Sequence, residues 1–189
     1  MTTRDIALVA MMTAVTAVLG LMPAFTTPLQ PAVPITAQTI GVILAGLLLG
    51  PVRGAASMAL LLLLAAIGVP VLSGGKSGLG VFAGPTVGYL IGFVACAAVA
   101  GGMIWAKGRP FRFSWGLFAG FIGAFPVLYL FGSIGLVARI DLGFGAALAS
   151  NVAFIPGDLA KLVIAAIIAD RVHGAIPELM EGRPGRVAA

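Results

Sequence analysis

The chain of 189 residues is 60% apolar and only 9% charged, and its mean hydropathy is +1.14. A soluble domain carries about 25% charged residues, so this composition excludes an ordinary water-soluble protein. The net charge of +5 comes from basic residues scattered between apolar runs, a pattern typical of membrane-protein loops rather than of nucleic-acid binding. Long unbroken apolar runs favour α-helical spans over a β-barrel, whose strands alternate apolar and polar residues.

Six apolar segments have the length and composition expected of membrane helices, although the second and third are short. They cover about 5–22, 35–49, 54–67, 85–105, 115–136 and 146–169. The apolar stretch 6–21 lacks a good small-residue cleavage site, so we expect a retained first helix and no cleavable signal peptide. We predict an all-α integral membrane protein with six transmembrane helices, forming one domain over 1–189.

Proline and glycine mark the connections between these segments. Residues 23–34 contain four prolines and therefore cannot form a regular helix. Residues 50–54 (GPVRG) predict a tight turn, and residues 69–84 form a Gly-rich loop. The two long loops follow the first and third helices, so they fall on the same side of the membrane. Structured loops beside short spans predict a lid or a pocket wall.

The distribution of Lys and Arg predicts the orientation in the membrane. If the N-terminus is cytoplasmic, eight basic residues lie inside: Arg4, Arg53, Lys107, Arg109, Arg112, Arg171, Arg183 and Arg186. Only Lys76 and Arg139 then lie outside. We therefore expect both termini in the cytoplasm and the Pro-rich and Gly-rich loops on the outer face.

The sixth segment carries the most conspicuous polar residues at membrane depth. Asp158 and Lys161 are three positions apart and share a helix face, and Asn151 lies about two turns earlier on a nearby stripe. Pro156 and Gly157 lie between them, where a proline can kink the helix and free a carbonyl. Two interpretations follow: an ion pair that only fixes helix packing, or a functional polar cavity.

Two further groups of polar residues lie near the predicted outer face. The segment 73–78 holds Ser73, Lys76 and Ser77 among glycines, whose exposed backbone N–H groups can approach a ligand. A flexible surface loop has the same composition, and the spacing is not that of a phosphate-binding loop. Gln38 opens the second helix, where it either caps the helix or points into a cavity.

Aromatic and small residues give weaker indications. Phe82 and Tyr89 could wall a pocket, but aromatic residues near helix ends are equally typical of membrane-interface anchors. On the first helix, Ala10 and Ala14 form a small-x-x-x-small pair that allows another helix to approach closely. In an Ala-rich chain such spacing often arises by chance, so on its own it predicts little.

The sequence contains none of the usual catalytic templates. It has no Ser-His-Asp set, no His or Cys spacing for a metal and no ATP-binding motif. The single Cys96 and the single His173 have no supporting cluster in the sequence, so we interpret both as structural. We therefore expect no enzymatic activity, no metal and no cofactor.

Three stretches, together with the six spans, resemble the BioY family of biotin-specific S components of energy-coupling factor (ECF) transporters. The stretches are VPITAQTIGVILAGLLLGPVRGAAS at 33–57, GVPVLSGGKSGLGVFAGPTVGYLIGF at 68–93 and FIPGDLAKLVIA at 154–165. With the spans they cover most of the chain. The resemblance implies the ECF S-component fold of six helices, with both termini cytoplasmic and a substrate site near the outer face.

By this resemblance, Asp158 and Lys161 are polar ligands of biotin. Asp158 can accept hydrogen bonds from the ureido N–H groups, and Lys161 can donate to the ureido oxygen or pair with the carboxylate. The two residues are about 5 Å apart along the helix axis, less than the length of biotin, so we expect both at the ring end. The carboxylate then meets Lys76 or Arg139. The full predicted substrate set is Gln38, Lys76, Ser77, Phe82, Tyr89, Asn151, Asp158 and Lys161.

The resemblance also implies partners. Family members work with a transmembrane coupling subunit and two ATPases, and an Ala-x-x-x-Ala motif on the first helix contacts the coupling subunit. Ala10 and Ala14 match that motif. We expect a multi-pass protein of the inner (plasma) membrane whose transported ligand is biotin.

Three other functions remain open on the sequence. An S component for thiamin or riboflavin would share the fold, but such large aromatic ligands usually need more than the two Trp and two Tyr present here. A small membrane enzyme would need a nucleophile–base pair at membrane depth. A channel would need polar residues along several helices rather than on one helix and two loops.

Overall fold

The computed structural model describes residues 1–28, 30–108 and 110–180, which are mainly helical. Arg109, Arg183 and Arg186 of the predicted cytoplasmic set lie outside the described residues. The helices are α1 (Thr3–Leu21), α2 (Gln38–Ala66), α3 (Val87–Lys107), α4 (Phe113–Ile122), α5 (Leu128–Ile140), α6 (Phe144–Ser150) and α7 (Ile155–Ala175). Two short strands, β1 (Phe25–Thr27) and β2 (Gln30–Ile35), pair antiparallel.

Helix α2 is folded back on itself at Gly50. This glycine has φ +77°, in the left-handed region that other residues avoid, and Pro51 follows it. A Cβ atom at Gly54 would lie 2.6 Å from the carbonyl oxygen of Ala45. In a straight helix these residues would be about 13 Å apart. Segments 38–49 and 51–66 are therefore an antiparallel helical hairpin, as the tight turn in the sequence predicts.

The described helices correspond to the six apolar segments of the sequence. Within the described residues, α1, α2, α3 and the continuous helix Phe113–Ile140 are long and apolar enough to cross a bilayer. The pair Phe144–Ala153 and Ile155–Ala175, bent by 60°, forms a further candidate span. Because the Gly50 turn divides α2 into two antiparallel arms, the described residues hold six helical segments in all. The predicted all-α membrane fold is confirmed.

Two local features differ from the sequence expectation. The Pro-rich segment 23–34, predicted only as a long non-helical loop, contains most of the β1–β2 hairpin. The predicted continuous helix 146–169 is broken before Ile155. Pro156 does not kink a helix from within, because it lies in the first turn of α7. The N–H groups of a first turn have no acceptor inside the helix, so a proline there removes no helical hydrogen bond.

One end of the molecule is held together by Arg53, in the turn of α2. Its guanidinium lies 3.3 Å from the Asp5 carboxylate and donates to the carbonyl oxygens of Leu49 and Leu179, each over 3.1 Å. It also lies over the Trp105 ring at the end of α3, 5.2 Å from the centroid. The start of α1, the α2 turn and the turn Pro177–Met180 therefore lie at the same end.

His173, near the end of α7, bonds a carbonyl at this same end. The Nε2 atom lies 2.9 Å from the Leu47 carbonyl oxygen, to which it must donate. The usual helical donor to that carbonyl would be residue 51, but proline has no N–H. The His173 ring also stacks on Phe111, with centroids 4.7 Å apart. His173 thus supplies the hydrogen bond that Pro51 cannot donate at the end of the first α2 segment.

Candidate substrate-binding site

A cleft opens at the end of the helices opposite the Arg53 turn. Its walls enclose about 710 Å3 of empty space, which includes space open to solvent. It is lined by Val33, Pro34, Ile35, Thr36, Gln38, Thr39, Leu72, Ser73, Lys76, Val81, Thr86, Tyr89, Leu90, Phe93, Leu128, Tyr129, Phe154, Asp158 and Lys161. The walls therefore come from β2, the loop between α2 and α3, and the helix ends that meet there.

Asp158 is the acidic group of the cleft and is almost fully buried. Its Oδ1 accepts a hydrogen bond from Lys161 Nζ over 2.8 Å, and its Oδ2 accepts one from Tyr129 Oη over 2.9 Å. Its position in the first turn of α7 is favourable for a negative charge. Each carboxylate oxygen can accept two hydrogen bonds, so the group retains acceptor capacity for a ligand.

Lys161 lies one turn further along α7 and also lines the cleft. Its ion pair with Asp158 compensates both charges at a depth where an isolated charge is costly. The pair presents a carboxylate acceptor and an ammonium donor side by side. This arrangement suits a ligand group that carries N–H donors next to a carbonyl oxygen.

Tyr89 also lines the cleft, and its hydroxyl is held by hydrogen bonds outside the cleft. Its hydroxyl donates to Asn151 Oδ1 over 2.6 Å. The Asn151 amide in turn donates to Ser133 Oγ over 2.9 Å and to the Ala147 carbonyl oxygen over 3.1 Å. The Tyr89 ring lies so close to Gly132 that a Cβ atom there would overlap it. This buried network joins α3, α5 and α6 behind the cleft.

An aromatic surface continues from Tyr89 to Tyr129. Phe154 meets the Tyr89 ring edge-on at 5.9 Å and the Tyr129 ring at 6.3 Å between centroids. Tyr129 follows a π-helical turn, Gly123–Val127, that contains Pro126. Because Pro126 has no N–H for the carbonyl four residues earlier, the helix widens at this point. The apolar wall thus borders the polar Asp158 group.

The outer loops close the remaining sides. Residues 33–36 come from the β1–β2 hairpin, and Leu72, Ser73 and Lys76 come from the Gly-rich loop. Gln38 connects these parts: its Nε2 donates to the Val71 carbonyl over 2.9 Å and to the Thr16 carbonyl over 3.3 Å. The two loops therefore form pocket walls.

The family model for the BioY family matches residues 1–178 of the chain. The chain belongs to the BioY family. A Rhizobium etli relative named biotin transporter BioY is 43% identical, with 95% of this chain and 98% of the relative covered. A Rhodobacter capsulatus relative of the same name is 38% identical, with 95% and 98% covered.

A solved structure extends the similarity to three dimensions. The 2.1 Å crystal structure of the S-component for biotin from an ECF-type ABC transporter has a TM-score of 0.85 and 31% sequence identity. The similarity covers 92% of this chain and 95% of that chain. The fold of this BioY-family chain is therefore the predicted S-component fold, in a family of transporter components rather than enzymes.

The structure brings together five of the eight substrate residues predicted from the sequence. Gln38, Lys76, Tyr89, Asp158 and Lys161 line the cleft. Their role as biotin ligands stays a prediction for this BioY-family member. Gln38 uses its amide N–H groups to hold the chain, as its two carbonyl contacts show.

The other three predicted residues do not line the cleft. Asn151 lies behind Tyr89, while Ser77 and Phe82 are partly buried in the loop before α3. Arg139 donates to the Phe82 carbonyl oxygen over 3.2 Å and also does not contribute to the lining. Lys76 lines the cleft and the adjacent Ser77 does not, so the composition of the loop could not predict which of its residues line the cleft.

Several lining residues were missed, above all Tyr129 and Phe154. Tyr129 is a polar-tipped aromatic in the middle of an apolar span, and such a hydroxyl needs a partner. That signal was present in the sequence, but the partner lies on another helix. The contact between Tyr129 and Asp158 joins residues 29 positions apart.

Ala10 and Ala14 lie on an exposed face of α1. Large apolar side chains on the same helix, including Met11 and Val18, are exposed as well. This face is thus open to lipid or to another helix. The predicted contact with a coupling subunit stays a prediction.

Proposed function

We propose that this chain is the biotin-binding, substrate-capturing S component of an ECF-type vitamin uptake transporter. The observation that carries the proposal is the Asp158 carboxylate, held by Lys161 and Tyr129 at the edge of a cleft in a BioY-family fold. An acidic group buried at this depth needs compensating partners, and here it has two while it still borders open space.

The chemistry of the cleft matches the ring end of biotin. The ureido N–H groups of biotin donate to Asp158, and Lys161 donates to the ureido oxygen. The bicyclic ring packs against the aromatic wall of Tyr89, Phe93 and Phe154. The valeryl tail then runs toward the outer loops, where Lys76 lines the cleft.

Transport requires partners that this chain does not contain. Its sequence has no ATP-binding motif, so energy comes from a transmembrane coupling subunit and two ATPase subunits. The exposed Ala10–Ala14 face of α1 is the surface that receives the coupling subunit, because small residues permit close helix packing.

The orientation follows from charge. Arg53 and the ends of α1 and α3 that carry Arg4 and Lys107 lie at the end opposite the cleft. Lys76 and Arg139 lie at the cleft end. By the positive-inside rule the Arg53 end is cytoplasmic, so the cleft faces the outside of the plasma membrane.

A binding assay separates this function from the alternatives. Purified protein is titrated with biotin, and thiamin and riboflavin are then added as competitors. Saturable biotin binding that neither vitamin displaces supports the proposal, whereas tight binding of another vitamin and none of biotin contradicts it. Ion flux through liposomes that contain this chain alone would favour a channel instead.

A further inference from the structure

The hydroxyl of Ser73 is the unusual polar atom of the cleft. Ser73 Oγ is buried and has no hydrogen-bond partner among the described residues, yet Ser73 lines the cleft. Most buried polar side-chain atoms are hydrogen-bonded, because an unpaired buried group loses its bonds to water. Ser73 Oγ is thus a hydrogen-bond donor without an acceptor, and a ligand in the cleft can supply that acceptor.

Lys76 lines the cleft on the same turn of chain. The Leu72 N–H donates to the Lys76 carbonyl oxygen over 3.2 Å, and the Gly75 N–H donates to the Leu72 carbonyl oxygen over 2.9 Å. Gly74 and Gly75 have φ values of +69° and +73°, which favour glycine. These bonds close a tight turn that carries both Ser73 and Lys76.

Lys76 is the cation of the cleft lining that has no ion-pair partner among the described residues. Among the described residues the lining contains three charged side chains, Lys76, Asp158 and Lys161. Asp158 and Lys161 form an ion pair of 2.8 Å, whereas Lys76 has no ion-pair partner in the described part of the chain. The lining therefore carries one excess positive charge, which complements a ligand with one negative charge.

We propose that Ser73 and Lys76 form the subsite for the carboxylate of the ligand tail, in which Ser73 Oγ donates a hydrogen bond to the carboxylate. This assignment rests on the proposed biotin-binding function. A carboxylate is disfavoured beside Asp158 by like-charge repulsion and is favoured beside Lys76. Ser73 adds a directed, charge-assisted bond, which makes it a specificity-determining residue for the acid over neutral analogues.

The test compares two ligands that differ only at the tail. Biotin and an analogue with a terminal methyl group in place of the carboxyl are titrated into the purified chain and into the variants Ser73→Ala and Lys76→Met. The matched control is Ser114→Ala, which removes a hydroxyl from an exposed position at the start of α4, outside the lining. Thermal unfolding without ligand is measured for each protein.

The expected result is a loss that depends on the carboxylate. Ser73→Ala weakens biotin binding about tenfold, as for one hydrogen bond to a charged group, and leaves analogue binding within about twofold. Lys76→Met reduces the preference for biotin over the analogue in the same direction, and Ser114→Ala does not. Because Ser73 Oγ has no partner in the free protein, Ser73→Ala does not lower the unfolding temperature.

Two outcomes overturn the assignment in distinguishable ways. If the unmodified chain binds biotin tightly but Ser73→Ala leaves biotin binding unchanged, or weakens both ligands equally, Ser73 does not contact the carboxylate and the biotin function stands. If the unmodified chain binds no biotin, the proposed function fails and the subsite fails with it.

Discussion

Tyr129 donates its hydroxyl to the Oδ2 atom of Asp158 over 2.9 Å, while Lys161 donates to Oδ1 of the same carboxylate over 2.8 Å. Two helices, α5 and α7, are thus joined through one buried acidic group at the cleft. Both donors hold the carboxylate in place, and its oxygens retain acceptor capacity at the cleft. Substitutions of Asp158, Lys161 and Tyr129 should therefore differ in their effects on ligand affinity and on stability.

Asp158→Asn should abolish most ligand affinity. The variant removes the acceptor charge and leaves Lys161 without its ion-pair partner, so biotin binding should weaken about 100-fold or more. Isothermal titration of the purified variant measures this. Asp141→Asn is the matched control, because Asp141 is exposed on the loop after α5. Equal biotin affinity in both variants would remove Asp158 from the site.

Tyr129→Phe should weaken binding less than the loss of the carboxylate does. The ring stays in the aromatic wall, and only one hydrogen bond to a charged acceptor disappears, so about a tenfold loss of biotin affinity is expected. Titration of Tyr129→Phe beside Tyr89→Phe tests this, because the Tyr89 hydroxyl bonds Asn151 instead of Asp158. A larger affinity loss for Tyr89→Phe would contradict this role of Tyr129.

Asn151→Ala should affect stability more than ligand contact. The change leaves the Tyr89 hydroxyl without its acceptor and removes the bond to Ser133, which costs about 1–3 kcal/mol of unfolding free energy. Thermal unfolding in detergent reports the loss. Biotin affinity should fall far less than in Asp158→Asn, because Asn151 does not line the cleft. An affinity loss as large as that of Asp158→Asn, with normal stability, would make Asn151 a direct ligand.

His173→Leu should destabilise the protein without changing its ligand affinity. The Leu47 carbonyl loses the donor that Pro51 cannot supply, at a cost of about 1–3 kcal/mol. His173→Gln, which retains an N–H donor, should recover part of the loss. Unfolding temperatures measure both effects, and biotin titration serves as the control because His173 lies at the end opposite the cleft. Unchanged stability in His173→Leu would show that the bond contributes nothing.

Ala10→Trp should separate ligand capture from transport. A bulky side chain blocks close helix approach on the exposed α1 face but lies outside the cleft lining, so biotin binding is retained. Co-purification with the coupling module and cellular biotin uptake should both fall. Val163→Trp, on an exposed position of α7, is the control. Normal uptake by Ala10→Trp would exclude this face as the coupling surface.

The membrane fold was predictable because its determinants are local in sequence. The apolar runs gave the six spans, and Gly50 followed by Pro51 gave the turn that divides α2. The spacing of Asp158 and Lys161 placed them on one helix face, where they form their ion pair. These features depend on residues a few positions apart.

The parts that were not predicted depend on contacts between distant segments. The β1–β2 hairpin arises in a Pro-rich stretch whose residues have no clear strand periodicity. Asn151 shares a stripe with Asp158 in a straight helix, but the 60° bend before α7 moves it behind Tyr89. No local sequence pattern predicts where the side chains of a bent helix will lie.

Titration of the purified chain with biotin, followed by competition with thiamin and riboflavin, tests the central claim most directly. Saturable binding of one biotin per chain, which neither competitor displaces and which Asp158→Asn weakens about 100-fold or more, is the predicted result. Absence of biotin binding, or displacement of biotin by either vitamin, would contradict the account.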